Sequence, residues 1–122
     1  TRSPHEAYRR VDFDARVAGA DPGQLVTLCY EQLVSALGTA VYANGLGDNL
    51  LKSQSLTRAL SAITALQLGV SGESGVASAL RQLYEAARRS ILDSALAFDD
   101  KALGIIRQDF IEISRAMQSA AA

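Results

Sequence analysis

A chain of 122 residues is sized for one domain, and such a domain buries roughly two thirds of its unfolded surface without help from metals or disulfides. Its hydrophobic share of 48% rests mostly on Ala, Leu, Ile and Val, with 6% aromatic residues, no Trp and two Pro, a balance that favours helices over sheets. Twelve basic against 13 acidic residues leave a formal charge of -1, which excludes an electrostatic basis for a nucleic-acid or anionic-membrane partner.

Residues 1–19, "TRSPHEAYRRVDFDARVAG", are charged and weakly periodic and end in Gly19. They read as an N-terminal arm, extended or forming a short extra helix, with no core of its own. At "ADPG" the signals change. Asp21 can cap a first turn and Pro22 suits the first helical position, where its missing N–H costs nothing. The first bundle helix is predicted from about Pro22 to Ala43. Leu25, Cys29, Leu33, Ala36 and Ala40, beside Val26, Tyr30, Val34, Leu37 and Val41, form two adjoining apolar stripes, as in the central element of a bundle.

The stretch "ANGLGDN" stops this helix and supplies Asp48 or Asn49 as the next cap. A second helix follows to about Leu68, with Leu56, Leu60, Ile63 and Leu66 on one face. "GVSGESG" is a turn. The third helix carries Val76, Leu80, Leu83, Tyr84, Ala87 and Ile91 on its inner face and runs to about Ala97. "FDDKA" then offers Asp99 or Asp100 as the cap of a fourth helix, in which Leu103, Ile106, Phe110, Ile113 and Met117 make a narrow seam. Short connections join antiparallel neighbours. The expectation is therefore all-α, an antiparallel up-down four-helix bundle over 20–122 preceded by the arm over 1–19.

Little in the chain suggests chemistry. Cys29 is the sole cysteine and His5 the sole histidine, which rules out an internal disulfide and a clustered Cys/His zinc site. Cys29 among Leu25, Leu28 and Leu33 reads as a buried structural thiol. His5 lies in the polar arm rather than on a bundle helix, the wrong place for phosphotransfer. Carboxylate-bridged metal sites need inward Glu with Glu-x-x-His spacing, which is absent. The glycines of "GVSGESG" lack the Lys and Ser or Thr of a P-loop, and Asp99-Asp100 is explained by capping. No enzyme activity, metal or cofactor is expected. No apolar run is long enough to span a bilayer and the first twenty residues hold no secretory core, so the expected compartment is the cytoplasm.

Several large apolar residues fall off the inner stripes. At about 100° per residue, Ile105 and Ile111 stand roughly 120° to either side of the last seam. Leu50 and Leu68 share a line a similar angle from the second-helix stripe, and Leu92 and Leu96 are displaced comparably on the third. Together they predict apolar grooves on the outside of the bundle, suited to a helix or extended segment of a partner.

The chain also resembles a known family, the flagellin-specific export chaperones of bacterial flagella, or FliS family. The resemblance runs through Ala7-Tyr8, Val17 and "ADPGQLVTLCYEQ", similar to the family's Ala-Ser-Pro-x-x-Leu-Val-x-x-Leu-Tyr-Asp/Glu start. It continues in "SGVASALRQLY" (Ser74 to Tyr84) and in "SALAFDDKALGIIRQDFIEISRAM" (Ser94 to Met117). The chain departs from the family at Cys29-Tyr30 in place of Leu-Tyr, Ser74-Gly75 in place of Gly-Gly, and Met117 where a Trp is common. The resemblance implies a cytoplasmic chaperone that binds the C-terminal segment of flagellin, prevents premature polymerisation and presents its client to flagellar export gate components. It also implies an N-terminal segment lying over part of the groove, with Tyr8 as its aromatic residue, although Tyr8 could equally anchor the arm to the core. The expected partner contacts are Tyr8, Leu50, Leu68, Leu92, Leu96, Ile105 and Ile111. A rival reading is a self-associating helical module, a homodimer through the same outward residues, with no flagellin client.

Overall fold

A computed structural model describes residues 4–121, which form five helices and no strand. The first, α1, spans Pro4–Ala18, so most of the N-terminal arm is helical rather than extended. Pro4 begins it, where a missing N–H is harmless. Arg9, Phe13 and Val17 are its partly buried residues, and their spacing of four places them on one face. Among the described residues, only α2 comes close to this helix.

Helix α2, Pro22–Leu46, opens on a full capping box: the Gln24 N–H donates to Asp21 Oδ1 at 2.8 Å and the Asp21 N–H donates to Gln24 Oε1 at 2.9 Å. It runs three residues beyond the predicted end at Ala43. The left-handed turn falls on Gly47 (φ 72°), while Gly45 stays helical. The Gly47 N–H reaches the carbonyls of Ala43 and Asn44, and the Asp48 N–H that of Ala43 at 2.9 Å, satisfying the last turn. Helix α3, Asn49–Gly69, starts on Asp48, whose Oδ1 accepts from the Leu51 N–H at 3.0 Å. Ser74 caps α4, Gly75–Leu96. Asp99, not Asp100, caps α5, Asp100–Ala121, accepting from the Ala102 N–H at 3.0 Å.

Helix α2 packs on α3 and α5, α3 packs on α4, and α4 meets α5 more sparingly. Between α3 and α4, Gln67 pairs with Glu85 at 3.0 Å and Thr64 with Arg88 at 2.6 Å, so the two helices run in opposite directions. The core holds Leu33, Ala36, Leu37 and Ala40 of α2, Ala59 and Ile63 of α3, Ile91 of α4 and Leu103 and Phe110 of α5. Alanines along α2 and α3 let those backbones approach closely. At the centre, Tyr30, Tyr84 and Phe110 form an aromatic group with ring centroids 5.3 to 6.4 Å apart. The Tyr30 and Tyr84 hydroxyls meet at 2.8 Å.

Three expectations change. Val76 and Met117, placed on inner faces by periodicity, are exposed. Each lies outside the buried stretch of its helix, before Ala77 in α4 and after Phe110 in α5. Also, α2 is long and apolar enough to cross a membrane by length and composition alone, contrary to the expected absence of such a run. The small residues Gly38, Thr39 and Ala40 dilute the pattern to the eye without lowering it enough. A core helix passes the same test, and α2 has Leu33, Ala36, Leu37, Ala40 and Ala43 wholly inside the protein.

Candidate partner-binding surface

Opposite chain directions bring the start of α3 beside the end of α4, and Lys52 marks the junction. Its Nζ lies 5.3 Å from the centre of the Phe98 ring and 3.2 Å from Asn44 Oδ1, so the α2–α3 turn and the α4–α5 connection share one end of the molecule. Leu50, Leu92, Leu96 and Ile105, all expected to face outward, are exposed near that end. Leu96 is 94% exposed, which leaves almost its whole side chain for a partner. Leu92 and Leu96 also line a groove of about 210 Å³ between α3 and α4, floored by Leu56, Leu60 and Ile91.

Tyr42 and Leu46 belong to the same end and are exposed as well. Sequence reasoning missed both. Their spacing of four was a usable signal, but ending the helix at Ala43 cut Leu46 from it.

The remaining expected contacts do not join this group. Leu68, 83% exposed, sits near the far end of α3, about 27 Å from Leu50 at 1.5 Å per residue. Exposed Val76 lies near it in chain order, on the first turn of α4. Ile111 is partly buried, so it offers less surface than its angular position suggested. Tyr8 is 71% exposed and lines none of the surface cavities.

A second, shallower groove of about 870 Å³ follows α2 and α5, where Gly38 and Gly104 remove side-chain bulk. The Arg107 guanidinium lies across it, with Nε donating to the Val34 carbonyl at 3.2 Å. Helix α1 is held more lightly: Arg16 pairs with Glu31 at 2.7 Å and Arg9 Nη1 donates to Ser35 Oγ at 3.3 Å. Both members of the ion pair are about half exposed, where such a pair contributes at most about 1 kcal/mol.

Reactive chemistry finds little support. Cys29 is only partly buried, against the expectation of a fully buried thiol, and burial raises its pKa, which disfavours the nucleophilic thiolate. His5 lies on α1, exposed, with Nε2 accepting from Arg9 Nε at 3.2 Å. Among the described residues no three His, Cys, Asp or Glu gather as a metal site.

The fold is that of an all-helical protein with a closed core and several large apolar side chains exposed outside it. A family model, "Flagellar protein FliS", matches residues 4–122. The flagellar secretion chaperone FliS of Salmonella typhimurium (strain LT2) is 31% identical over 106 residues, covering 84% of this chain and 78% of that protein. The chain belongs to the FliS family.

Proposed function

We propose that this protein is a flagellar secretion chaperone that binds the C-terminal segment of flagellin in the cytoplasm, prevents its premature polymerisation and hands it to export gate components. Helices α2 to α5 act as an antiparallel four-helix bundle over 20–122, and residues 1–19 as a separately attached segment. The reading is carried by family membership, reached from a relative that is itself a secretion chaperone. The exposed leucines supply the physical means. Amphipathic segments left free pair through their apolar faces; a rigid bundle with apolar side chains outside its core shelters those faces at the cost of ordering the client. The work is binding, without a chemical step.

Calorimetric titration with a flagellin C-terminal peptide tests this. Saturable binding is expected, and no binding at tens of micromolar removes the function. Replacing Leu96 or Leu68 by Ser should weaken binding by about tenfold with little change in melting temperature, because both side chains are already in solvent. Light scattering separates the self-associating alternative: a chaperone exchanges any self-contact for client, whereas a homodimer module keeps its mass when peptide is added.

A further inference from the structure

Helix α1 makes no close backbone approach to α3, and the space between them is a cavity of about 250 Å³. Its walls are unlike the leucine-lined groove described above. Arg9 and Arg10 reach it from α1 and Arg58 from α3, and Asp14 is its single carboxylate among the described residues. Gln32, Gln54, Ser53 and Ser61 add neutral groups able to donate hydrogen bonds, whereas the Thr57 hydroxyl is already given to the Ser53 carbonyl at 3.0 Å. Arg9 already serves His5 and Ser35, and Arg58 Nη1 donates to Gln32 Oε1 at 3.4 Å. Arg10 is exposed and has no hydrogen bond or ion pair with the described residues.

Guanidinium groups from two helices, backed by amide and hydroxyl donors, match the planar, multidentate recognition of carboxylate and phosphate oxygens. The volume falls below the roughly 300 Å³ at which sites for drug-sized ligands begin, so the fitting ligand is a small anionic group rather than a helix. We propose that this cavity is an anion-binding site whose phosphate- or carboxylate-type ligand bridges α1 to α3. Among the described residues, the anion adds to the Arg16–Glu31 ion pair and the Arg9–Ser35 hydrogen bond that tie α1 to α2. Two sources carry this chemistry: a free small anion, or the terminal α-carboxylate of a bound peptide. The second rests on the proposed client; the site itself does not.

The probe for the site is sodium pyrophosphate, titrated calorimetrically into the full chain with ionic strength balanced by sodium chloride, since general charge screening must be held constant. One saturable site is expected, with the melting temperature rising as pyrophosphate is added. Arg10→Gln, at an exposed residue, should weaken binding by about tenfold, while Arg115→Gln on α5 should leave it unchanged. No saturable binding at millimolar pyrophosphate, or equal weakening by the two substitutions, overturns the proposal.

A second arm assigns the source. If the flagellin peptide binds about tenfold more tightly as the free acid than as the C-terminal amide, and pyrophosphate removes that difference, the ligand is the peptide's end. If acid and amide bind alike while pyrophosphate still binds, the ligand is a free anion. Failure of the peptide to bind in either form sinks the chaperone reading and leaves the pyrophosphate result standing.

Discussion

Removing the Tyr84 hydroxyl, as Tyr84→Phe, should destabilise the protein by about 1–3 kcal/mol. Tyr30 is 1% and Tyr84 3% exposed, and their hydroxyls meet at 2.8 Å. The substitution keeps the ring that stacks on Phe110 at 6.0 Å, so the loss isolates one polar contact. What remains is a Tyr30 hydroxyl stranded without a partner, and the cost is that group's lost hydration rather than the modest net worth of the bond. In a chain of this size about 1 kcal/mol corresponds to roughly 3–5 °C in melting temperature.

The double variant Tyr30→Phe with Tyr84→Phe strands nothing. It should cost clearly less than the sum of the single changes, with a coupling of about 1 kcal/mol or more. Urea denaturation at neutral pH measures all four corners of the cycle. Additive losses would show that the two hydroxyls do not depend on each other, and the account of this core would be wrong.

The same pair makes an alkaline prediction. Burial raises the pKa of both tyrosines above the ordinary value of 10.0, with the bond to Tyr84 adding to the shift of Tyr30. Above that value the unfolded chain loses these protons first, so the unfolded state gains. The tyrosines' stabilisation is therefore complete below about pH 10 and declines as pH rises toward their folded values. Between about pH 10 and 11.5 wild type should lose stability more steeply than the double Phe variant. Equal slopes would refute the assignment.

Two further changes probe single positions. Gly47→Ala places a Cβ on a backbone with φ 72°, and the left-handed conformation should cost about 1–2 kcal/mol despite open space around it, read as a lower urea midpoint. Ser55→Ala should instead stabilise by up to about 1 kcal/mol, because Ser55 is fully buried and its hydroxyl has no hydrogen-bond partner among the described residues. A lower melting temperature for that variant would reveal a partner for the hydroxyl.

Much of the helical layout could be read locally because its signals are local. Asp21-Pro22 marked the start of α2, Asp48, Ser74 and Asp99 sit immediately before helices, and periodicity found Leu33, Ile63, Ile91 and Phe110, all buried. Where local signals competed, the reading slipped. Asn44 and Gly45 looked like a stop, yet the left-handed turn came at Gly47. The N-terminal segment looked weakly periodic because only Phe13 and Val17 supply apolar contact on α1.

The sequence alone determined that the chain would be helical and that leucines such as Leu50, Leu68 and Leu96 would fall off the inner stripes. Angles around one helix suffice for that. Only the tertiary structure decided which of those residues share a surface. Leu50 and Leu68 lie on one line of α3 yet near opposite ends, while Leu50 and Leu96, distant in sequence, come to the same end because α3 and α4 run antiparallel. It also decided the cavity between α1 and α3, which Arg10 and Gln54 line from different helices. Periodicity specifies the face a side chain takes; proximity between helices depends on packing direction and register, which no single helix contains.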